Sequence, residues 1–218
     1  MVEIESYIHK LMTFLEQSFG SRLLYVGLQG SYLRGEATES SDVDIMVVLE
    51  ALTVHDLAQY RSLIESLDHA DKSCGFICSR QDLANWNPLE IHHLVHSTRD
   101  YYGKLTDFVP AYTHNDVRNF AKMSLNNLYH ELCHRYIHGN RMQTAEALPG
   151  MYKSAFFILQ NVTYLRLGDF AQTKQMLLSL LTGKDREVLT RAMHFEEMAF
   201  EENFQLLFDW CQETLRNL

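Results

Sequence analysis

The chain has 218 residues, of which 46% are hydrophobic and 22% charged, so it is long enough for one large domain or two smaller ones. Its formal net charge is −9, and residues 1–110 hold 8 Lys and Arg against 16 Asp and Glu, which argues against a nucleic-acid partner because acidic surfaces repel phosphate backbones. No apolar run reaches the roughly 20 residues of a membrane span, and the acidic N-terminus lacks a basic signal segment, so we expect a cytoplasmic protein without a membrane partner.

The first half of the chain is predicted to alternate helices and strands. Apolar residues at helical spacing indicate helices, and short apolar runs between polar or glycine-containing turns indicate strands. Thr53 and Asp56 form a capping-box-like pair at the start of one helix. In the third strand, Cys74 and Cys78 are expected to be reduced thiols buried as small apolar residues. The predicted elements are a helix at 2–18, a strand at 22–29, a strand at 42–50, a helix at 53–69, a strand at 72–79 and helical segments at 80–86 and 88–103.

The second half of the chain is predicted to be entirely helical. Short turns between its helices are typical of an antiparallel bundle. The predicted helices cover residues 116–138, 151–167, 170–181 and about 185–215, with a break at Pro149 and Gly150. Because Pro110 lies between the two halves, we predict an α+β protein with a domain at 1–110, built on a mixed β-sheet with flanking helices, and an all-α helical bundle at 111–218.

The stretch "GSYLRGEATESSDVD" joins a Gly-Ser pair to an Asp-x-Asp that opens the second strand. Side chains alternate along a strand, so Asp42 and Asp44 project from one face. Two neighbouring carboxylates repel each other, and a divalent cation such as Mg²⁺ relieves that repulsion. Gly30 lets the backbone approach a ligand closely, and Ser31 offers its hydroxyl and amide N–H to phosphate oxygens. The pattern predicts a metal clamp on a triphosphate, and the alternative is a solvated turn entering an edge strand.

This stretch resembles the nucleotidyltransferase superfamily that contains DNA polymerase beta, in the branch of kanamycin-type aminoglycoside and lincosamide nucleotidyltransferases and minimal nucleotidyltransferases. The matching residues are Gly30, Ser31, the "LRGEA" turn, Ser41, Asp42 and Asp44. The resemblance implies Mg²⁺-dependent transfer of a nucleoside monophosphate from an NTP to a hydroxyl, with pyrophosphate leaving. We expect the transferred group to be AMP from ATP and the acceptor to be a small molecule, such as an aminoglycoside-like or lincosamide-like antibiotic, which would give a role in antibiotic resistance. The resemblance makes Asp42 and Asp44 catalytic residues and metal ligands, and it makes Gly30, Ser31 and Ser41 nucleotide-binding residues.

The sequence does not identify the acceptor or the general base. A protein hydroxyl stays open as acceptor, and so does a catalytically weak, nucleotide-binding regulatory module. Members of the superfamily commonly carry a third acidic residue on the next strand, where this chain has "SCGFICS". Either Glu90, Glu131 or another acid serves as general base, with Glu131 favoured because it lies on a bundle helix, or turnover is poor. The oligomeric state is also undetermined, and a dimer is compatible with the sequence.

Two cations are further candidates for binding the nucleotide. Arg34 lies in the Gly-Ser turn, where its alternatives are a phosphate contact and an ion pair with Glu36 or Glu39. Lys153 begins a strongly apolar helix, and a lysine at such a place reaches the triphosphate in similar enzymes. The alternative for Lys153 is a solvated lysine in the first turn of its helix.

The segment "HELCH", residues 130–134, matches H-E-x-x-H, in which two histidines one helical turn apart bind zinc and the glutamate acts as a protease base. Ile137 stands where metzincins have glycine, and the predicted helix at 151–167 lacks the distal glutamate of a gluzincin. We therefore interpret the segment as a polar helix face. The remaining alternative is a role for Glu131 or a histidine in an acceptor pocket.

Overall fold

The computed structural model describes residues 1–195 and 200–218. Contacts within the chain divide it into two compact units, Met1–Ala111 and Tyr112–Leu218. Among these described residues, no helix is both long enough and apolar enough to cross a bilayer.

The first unit is built on a mixed four-stranded sheet with the strand order β3-β2-β1-β4. Its strands are β1 (Leu23–Leu28), β2 (Val43–Leu49), β3 (Ser73–Ser79) and β4 (Arg99–Tyr102). β1 is antiparallel to β2 and β4, whereas β2 and β3 are parallel. Its helices are α1 (Ile4–Phe19), α2 (Gly30–Arg34), α3 (Val54–Glu65), α4 (Arg80–Ala84) and α5 (Pro88–His96). The predicted mixed sheet with flanking helices is therefore confirmed.

Alternation along β2 divides the core of the first unit between the two faces of the sheet. Val43, Ile45 and Val47 are buried in a cluster that includes side chains of α1 and α3. Met46 and Val48 are buried in a second cluster, which includes side chains of α4 and α5. A slip of β2 by one residue would exchange the two sets and move Asp44 to the opposite face, so the register determines which face carries that carboxylate.

The start of α3 shows how local signals place a helix. The Thr53 hydroxyl accepts a hydrogen bond from the Asp56 amide, and the Asp56 carboxylate accepts one from the Thr53 amide, so the predicted capping box is confirmed. Arg22 Nη2 also donates to Asp56 Oδ1 at 2.9 Å. These bonds lower the pKa of Asp56 from 3.8 to about 2, mainly through the Arg22 bond and then through Thr53.

The predicted helical segment at 88–103 is wrong at its C-terminal end, and so is the predicted burial of one cysteine. Helix α5 ends at His96, and Arg99–Tyr102 pairs with β1 as an edge strand. The Ser97 and Thr98 hydroxyls donate to the carbonyls of the last turn, which ends the helix and leaves the following residues free to pair as a strand.

Cys78 is buried as predicted, but Cys74 is exposed because it lies near the start of an edge strand.

The second unit is helical throughout its described secondary structure, as predicted. Its helices are α6 (His114–His138), α7 (Arg141–Leu167), α8 (Lys174–Leu180), α9 (Gly183–Met193) and α10 (Phe200–Asn217). The predicted break at Pro149 is wrong, since Pro149 lies inside α7. An interior proline costs about 3 kcal/mol, but Leu148, Met151 and Tyr152 are buried in one core and hold the turns on both sides of it. Within the predicted stretch at 185–215, residues 196–199 lie outside the described residues.

Candidate active site

Asp42 and Asp44 lie where the chain enters β2. Asp44 is half-buried on the same face as Met46, and Asp42 is exposed immediately before the strand. Val43, which lies between the two aspartates, and Ile45, which follows Asp44, are buried on the opposite face. The backbone therefore presents two carboxylates side by side at the open end of β2.

Gly30 brings the two halves of the sequence pattern into contact. The Gln29 amide donates to the Asp44 carbonyl at 2.8 Å, so the segment after β1 continues along β2. A Cβ atom on Gly30 would lie 1.8 Å from Asp44 Oδ2, and Gly30 has φ +69°. Glycine is thus required at this position both for its backbone conformation and for the close approach of the Asp44 carboxylate.

Hydrogen bonds within the turn hold its shape between α2 and β2. Arg34 Nε donates to Glu36 Oε2 at 3.0 Å, which is one of the ion pairs that the sequence left open. The Thr38 amide donates to Ser41 Oγ at 2.8 Å, and the Ser41 amide donates to the Thr38 carbonyl at 3.1 Å. Ser41 therefore closes the turn directly before Asp42, whereas its predicted contact with nucleotide stays a prediction.

Cys74 occupies the place next to Asp44 on the neighbouring strand. The parallel register of β2 and β3 pairs Asp44 with Cys74. Burial raises the pKa of the Cys74 thiol, and the Asp44 and Asp42 carboxylates raise it further. Because this pairing depends on the strand register, only knowledge of the register could have shown that Cys74 adjoins the carboxylates.

The other predicted site residues lie on helices, one on α5 of the first unit and two in the second unit. Glu90 is exposed on α5 and accepts a 2.5 Å hydrogen bond from Trp86 Nε1. Glu131 is exposed on α6 and pairs with Arg135 Nε at 2.8 Å. Lys153 is exposed on α7. The roles of Glu90, Glu131 and Lys153 stay predictions.

The two histidines of the H-E-x-x-H segment lie on α6, one turn apart. Their ring centroids are 6.0 Å apart, and both side chains are exposed. Across residues 1–195 and 200–218, no three or more His, Cys, Asp or Glu side chains are grouped as a metal ion would require. The geometry of His130 and His134 is that of an exposed helix face.

The donor set at the start of β2 fits Mg²⁺. Mg²⁺ prefers oxygen ligands and is commonly held by one or two carboxylates, with water and substrate phosphates completing its coordination. Asp42 and Asp44 supply two accessible carboxylates, and Gly30 leaves space beside Asp44 that a Cβ atom would fill. These residues would hold the ion together with a nucleotide.

Comparison with known proteins identifies the family of the N-terminal region. The sequence model of the nucleotidyltransferase domain family matches residues 8–76. A stretch of 66 residues is 36% identical to the Methanocaldococcus jannaschii protein MJ1379, provisionally named a protein adenylyltransferase, and covers 30% of this chain and 64% of that protein. A stretch of 50 residues is 48% identical to the protein adenylyltransferase MntA of Thermococcus cleftensis, and covers 23% of this chain and 48% of that protein. The chain thus spans less than two thirds of the length of either curated relative.

A solved structure matches a larger part of the chain. The crystal structure of spectinomycin adenyltransferase AAD(9) from Enterococcus faecialis, with ATP and spectinomycin, has a TM-score of 0.62 and covers 97% of this chain and 99% of its own. The sequence identity is 15%, so this match shows the fold alone. The N-terminal unit, with its Gly-Ser pair and its two aspartates at the start of β2, contains a nucleotidyltransferase domain.

Proposed function

We propose that the protein is a cytoplasmic, magnesium-dependent nucleotidyltransferase that moves AMP from ATP to a hydroxyl of a small molecule, such as an aminoglycoside-like or lincosamide-like antibiotic. The observation that carries this proposal is the contact between the Gly30 backbone and the Asp44 carboxylate. Because of this contact, a triphosphate bound at the Gly-Ser pair would lie directly against the carboxylates that hold its metal.

Each group of the turn has a part in the proposed reaction. Gly30 and Ser31 bind the triphosphate through backbone and hydroxyl groups, with Ser41 shaping the turn. Asp42 and Asp44 hold Mg²⁺, which would stabilise both the entering oxygen and the departing pyrophosphate. The acceptor oxygen bonds to the α-phosphorus of ATP as the bond from that phosphorus to the pyrophosphate oxygen breaks.

Two further sets of residues complete the proposal. Arg34 and Lys153 are the candidate cations for the phosphate oxygens, and Arg34 is already oriented by its bond to Glu36. The acceptor hydroxyl loses its proton to a base, for which Glu131 is the first candidate and Glu90 the second. These roles are proposed from the chemistry of the side chains, since a fold does not by itself determine a reaction.

A small-molecule acceptor is proposed by analogy with the spectinomycin adenyltransferase. The match to the spectinomycin adenyltransferase includes both units of this chain. By contrast, the 66 residues shared with the M. jannaschii protein form 30% of this chain but 64% of that protein, so that protein is about half as long. A chain of that length leaves little room for a counterpart of the second unit.

A protein hydroxyl is the second candidate acceptor. It is favoured by the names of the two curated relatives, both of which refer to protein adenylyltransferases. A small-molecule transferase and a protein adenylyltransferase would prefer different acceptors, so one assay with both kinds of acceptor distinguishes them.

The test is a pyrophosphate-release assay with Mg-ATP and a panel of hydroxyl acceptors, comprising aminoglycosides, lincosamides, spectinomycin and a tyrosine-containing peptide. Asp42→Asn and Asp44→Asn should abolish release without lowering thermal stability, because each removes one charge from a repelling pair. Asp107→Asn, which changes an exposed carboxylate in the turn after β4, is the matched control and should retain activity. Near-normal release by either motif variant would refute the metal assignment.

The same assay separates the alternatives. Transfer to the peptide alone would identify a protein adenylyltransferase. Binding of Mg-ATP without modification of any acceptor would instead identify a regulatory nucleotide-binding module.

A further inference from the structure

Two aromatic side chains stack on the face of the sheet that carries Asp44, and the proposed chemistry gives neither of them a part. The ring centroids of Phe76 and Trp86 are 5.9 Å apart, with an interplanar angle of 24°. Both side chains are partly exposed, so the stack contributes to the surface of the first unit. Trp86 Nε1 donates to Glu90 Oε2 at 2.5 Å, which places an exposed carboxylate at the edge of the stack.

The stack lies on the same face of the sheet as Asp44. Cys74 is paired with Asp44, and Phe76, two residues further along β3, is paired with Met46. Residues two apart on a strand project from one face and are separated by about 6.6 Å. Phe76 therefore lies one strand across and one such step along from Asp44, about 8 Å between the two backbone positions, which a small ring compound can bridge.

In-line transfer assigns the stack to one of the two substrates. In the proposed function, Gly30 and Ser31, which follow β1, hold the triphosphate and hence the departing pyrophosphate. The entering and departing oxygens lie roughly in line on opposite sides of the phosphorus. β2 with Asp44 lies between β1 and β3, so an acceptor placed opposite the pyrophosphate held next to β1 would lie toward β3, the strand that carries Phe76.

We propose that Phe76, Trp86 and Glu90 form the acceptor subsite, and that this subsite binds the ring of an amino-substituted hydroxyl compound. This inference rests on the proposed function and specifies its acceptor. The stack offers an apolar aromatic surface to the ring, and the Glu90 carboxylate offers an ion pair to an ammonium group. A neutral phenol, such as a tyrosine side chain, would use the stack without using the charge of Glu90.

Tryptophan fluorescence of the full chain tests the proposal. The chain has two tryptophans, and Trp210 is buried with 1% of its surface exposed, so emission changes that disappear in Trp86→Phe report on the stack. The probes are spectinomycin, N-acetyl-tyrosinamide and Mg-ATP, each titrated separately. We expect spectinomycin alone to change the emission of Trp86. Phe76→Leu and Glu90→Gln should each weaken that binding about three- to tenfold and leave Mg-ATP affinity unchanged.

Phe108→Leu is the matched control for a loss of packing. Phe108 is a partly buried aromatic residue of the same hydrophobic cluster, but its ring packs against Tyr25 at 6.4 Å. This variant should lower thermal stability as Phe76→Leu does and should leave spectinomycin binding unchanged. Equal weakening by both variants would overturn the proposal, since the effect would then come from general loosening of the cluster.

Three other results would also overturn it. An Mg-ATP-dependent change in Trp86 emission, weakened by Phe76→Leu, would assign the stack to the nucleobase. Binding of N-acetyl-tyrosinamide that Glu90→Gln leaves unchanged would assign it to a phenol. Absence of any response to spectinomycin would exclude an amino-substituted ring.

Failure of this inference can be distinguished from failure of the proposed function. If the protein adenylylates an acceptor whose KM is unchanged in Phe76→Leu, the subsite is wrong while the function holds. If spectinomycin binds at Trp86 but no AMP is transferred to any acceptor, the function is wrong while a ligand site exists.

Discussion

Replacing Gly30 by alanine should inactivate the enzyme by displacing one carboxylate. The added Cβ would lie 1.8 Å from Asp44 Oδ2 and 2.7 Å from Asp44 Cγ. Real Cβ atoms stay at least 3.0 Å from such neighbours, so the carboxylate would have to move by about 1.2 Å or more. A misplacement of about 1 Å at a reacting centre can reduce the rate about 10²-fold. We therefore expect Gly30→Ala to lower pyrophosphate release by at least about 10²-fold.

Gly35→Ala separates this effect from backbone strain. Gly35 has φ +68°, almost the same as the +69° of Gly30, but among the described residues no atom beyond its two chain neighbours lies within 4 Å of the Cβ position at Gly35. An alanine in this conformation costs about 1–2 kcal/mol, so both variants should lose similar stability in urea unfolding. Only Gly30→Ala should lose most of its activity.

The comparison of the two glycine variants has a clear refuting result. If they lose activity to the same extent, the loss comes from strain in the turn and not from movement of Asp44. If Gly30→Ala keeps near wild-type activity, the carboxylate of Asp44 does not need its present position.

Three further predictions concern other parts of the chain. Combined His130→Ala and His134→Ala should leave AMP transfer mostly intact in the pyrophosphate assay, and one zinc per chain, lost in this variant, would contradict the interpretation of these histidines as a helix face. Glu131→Gln should lower turnover about 10²- to 10⁴-fold with Mg-ATP affinity unchanged, because it would remove the general base. The same loss in Glu90→Gln would instead identify Glu90 of the first unit as the base. Full activity in both variants would show that the base is another residue. The pKa of Asp56 is lower in the folded chain, so the stability that its ionised form contributes is present above about pH 4 and is lost as the pH falls toward 2. In urea unfolding over that pH range, the free energy of unfolding should therefore fall less in Asp56→Asn than in the wild type. An equal fall with pH in both proteins would show that the Asp56 bonds do not affect folding.

Local patterns predicted the fold where local interactions determine it. The strands at 22–29, 42–50 and 72–79 are confirmed because each is a short apolar run between polar turns. The capping box at Thr53 needs only residues within one helical turn and is confirmed for the same reason. Helical periodicity likewise predicted α1 and α6.

The wrong predictions depend on contacts between distant parts of the chain. β4 is a strand because its backbone pairs with β1, more than seventy residues earlier, which no local pattern in "RDYY" shows. Pro149 stays inside α7 because buried residues on both sides fix the helix, whereas local propensity alone predicts a break. Cys74 is exposed because β3 is an edge strand, and the strand order depends on the whole sheet.

The candidate site could be predicted only in part, for the same reason. The pattern of Gly30, Ser31, Asp42 and Asp44 is local, and the structure brings Gly30 and Asp44 into contact. The neighbours on β3 come from parallel pairing, so neither Cys74 nor the stacking of Phe76 on Trp86 was visible in the sequence.

The thiol beside Asp44 affects how the proposed site would acquire its metal. At the β3 position paired with Asp44, Cys74 provides sulfur in place of carboxylate oxygen, so this edge of the site offers Mg²⁺ only the two aspartates. Mg²⁺ prefers oxygen ligands and gives up its water reluctantly, and two carboxylates occupy only part of its octahedral coordination. The phosphate oxygens of ATP would supply further ligands at the Gly-Ser pair, which lies against Asp44. The site is therefore suited to receiving the metal together with the nucleotide, and the closeness of Gly30 to Asp44 connects the two binding events.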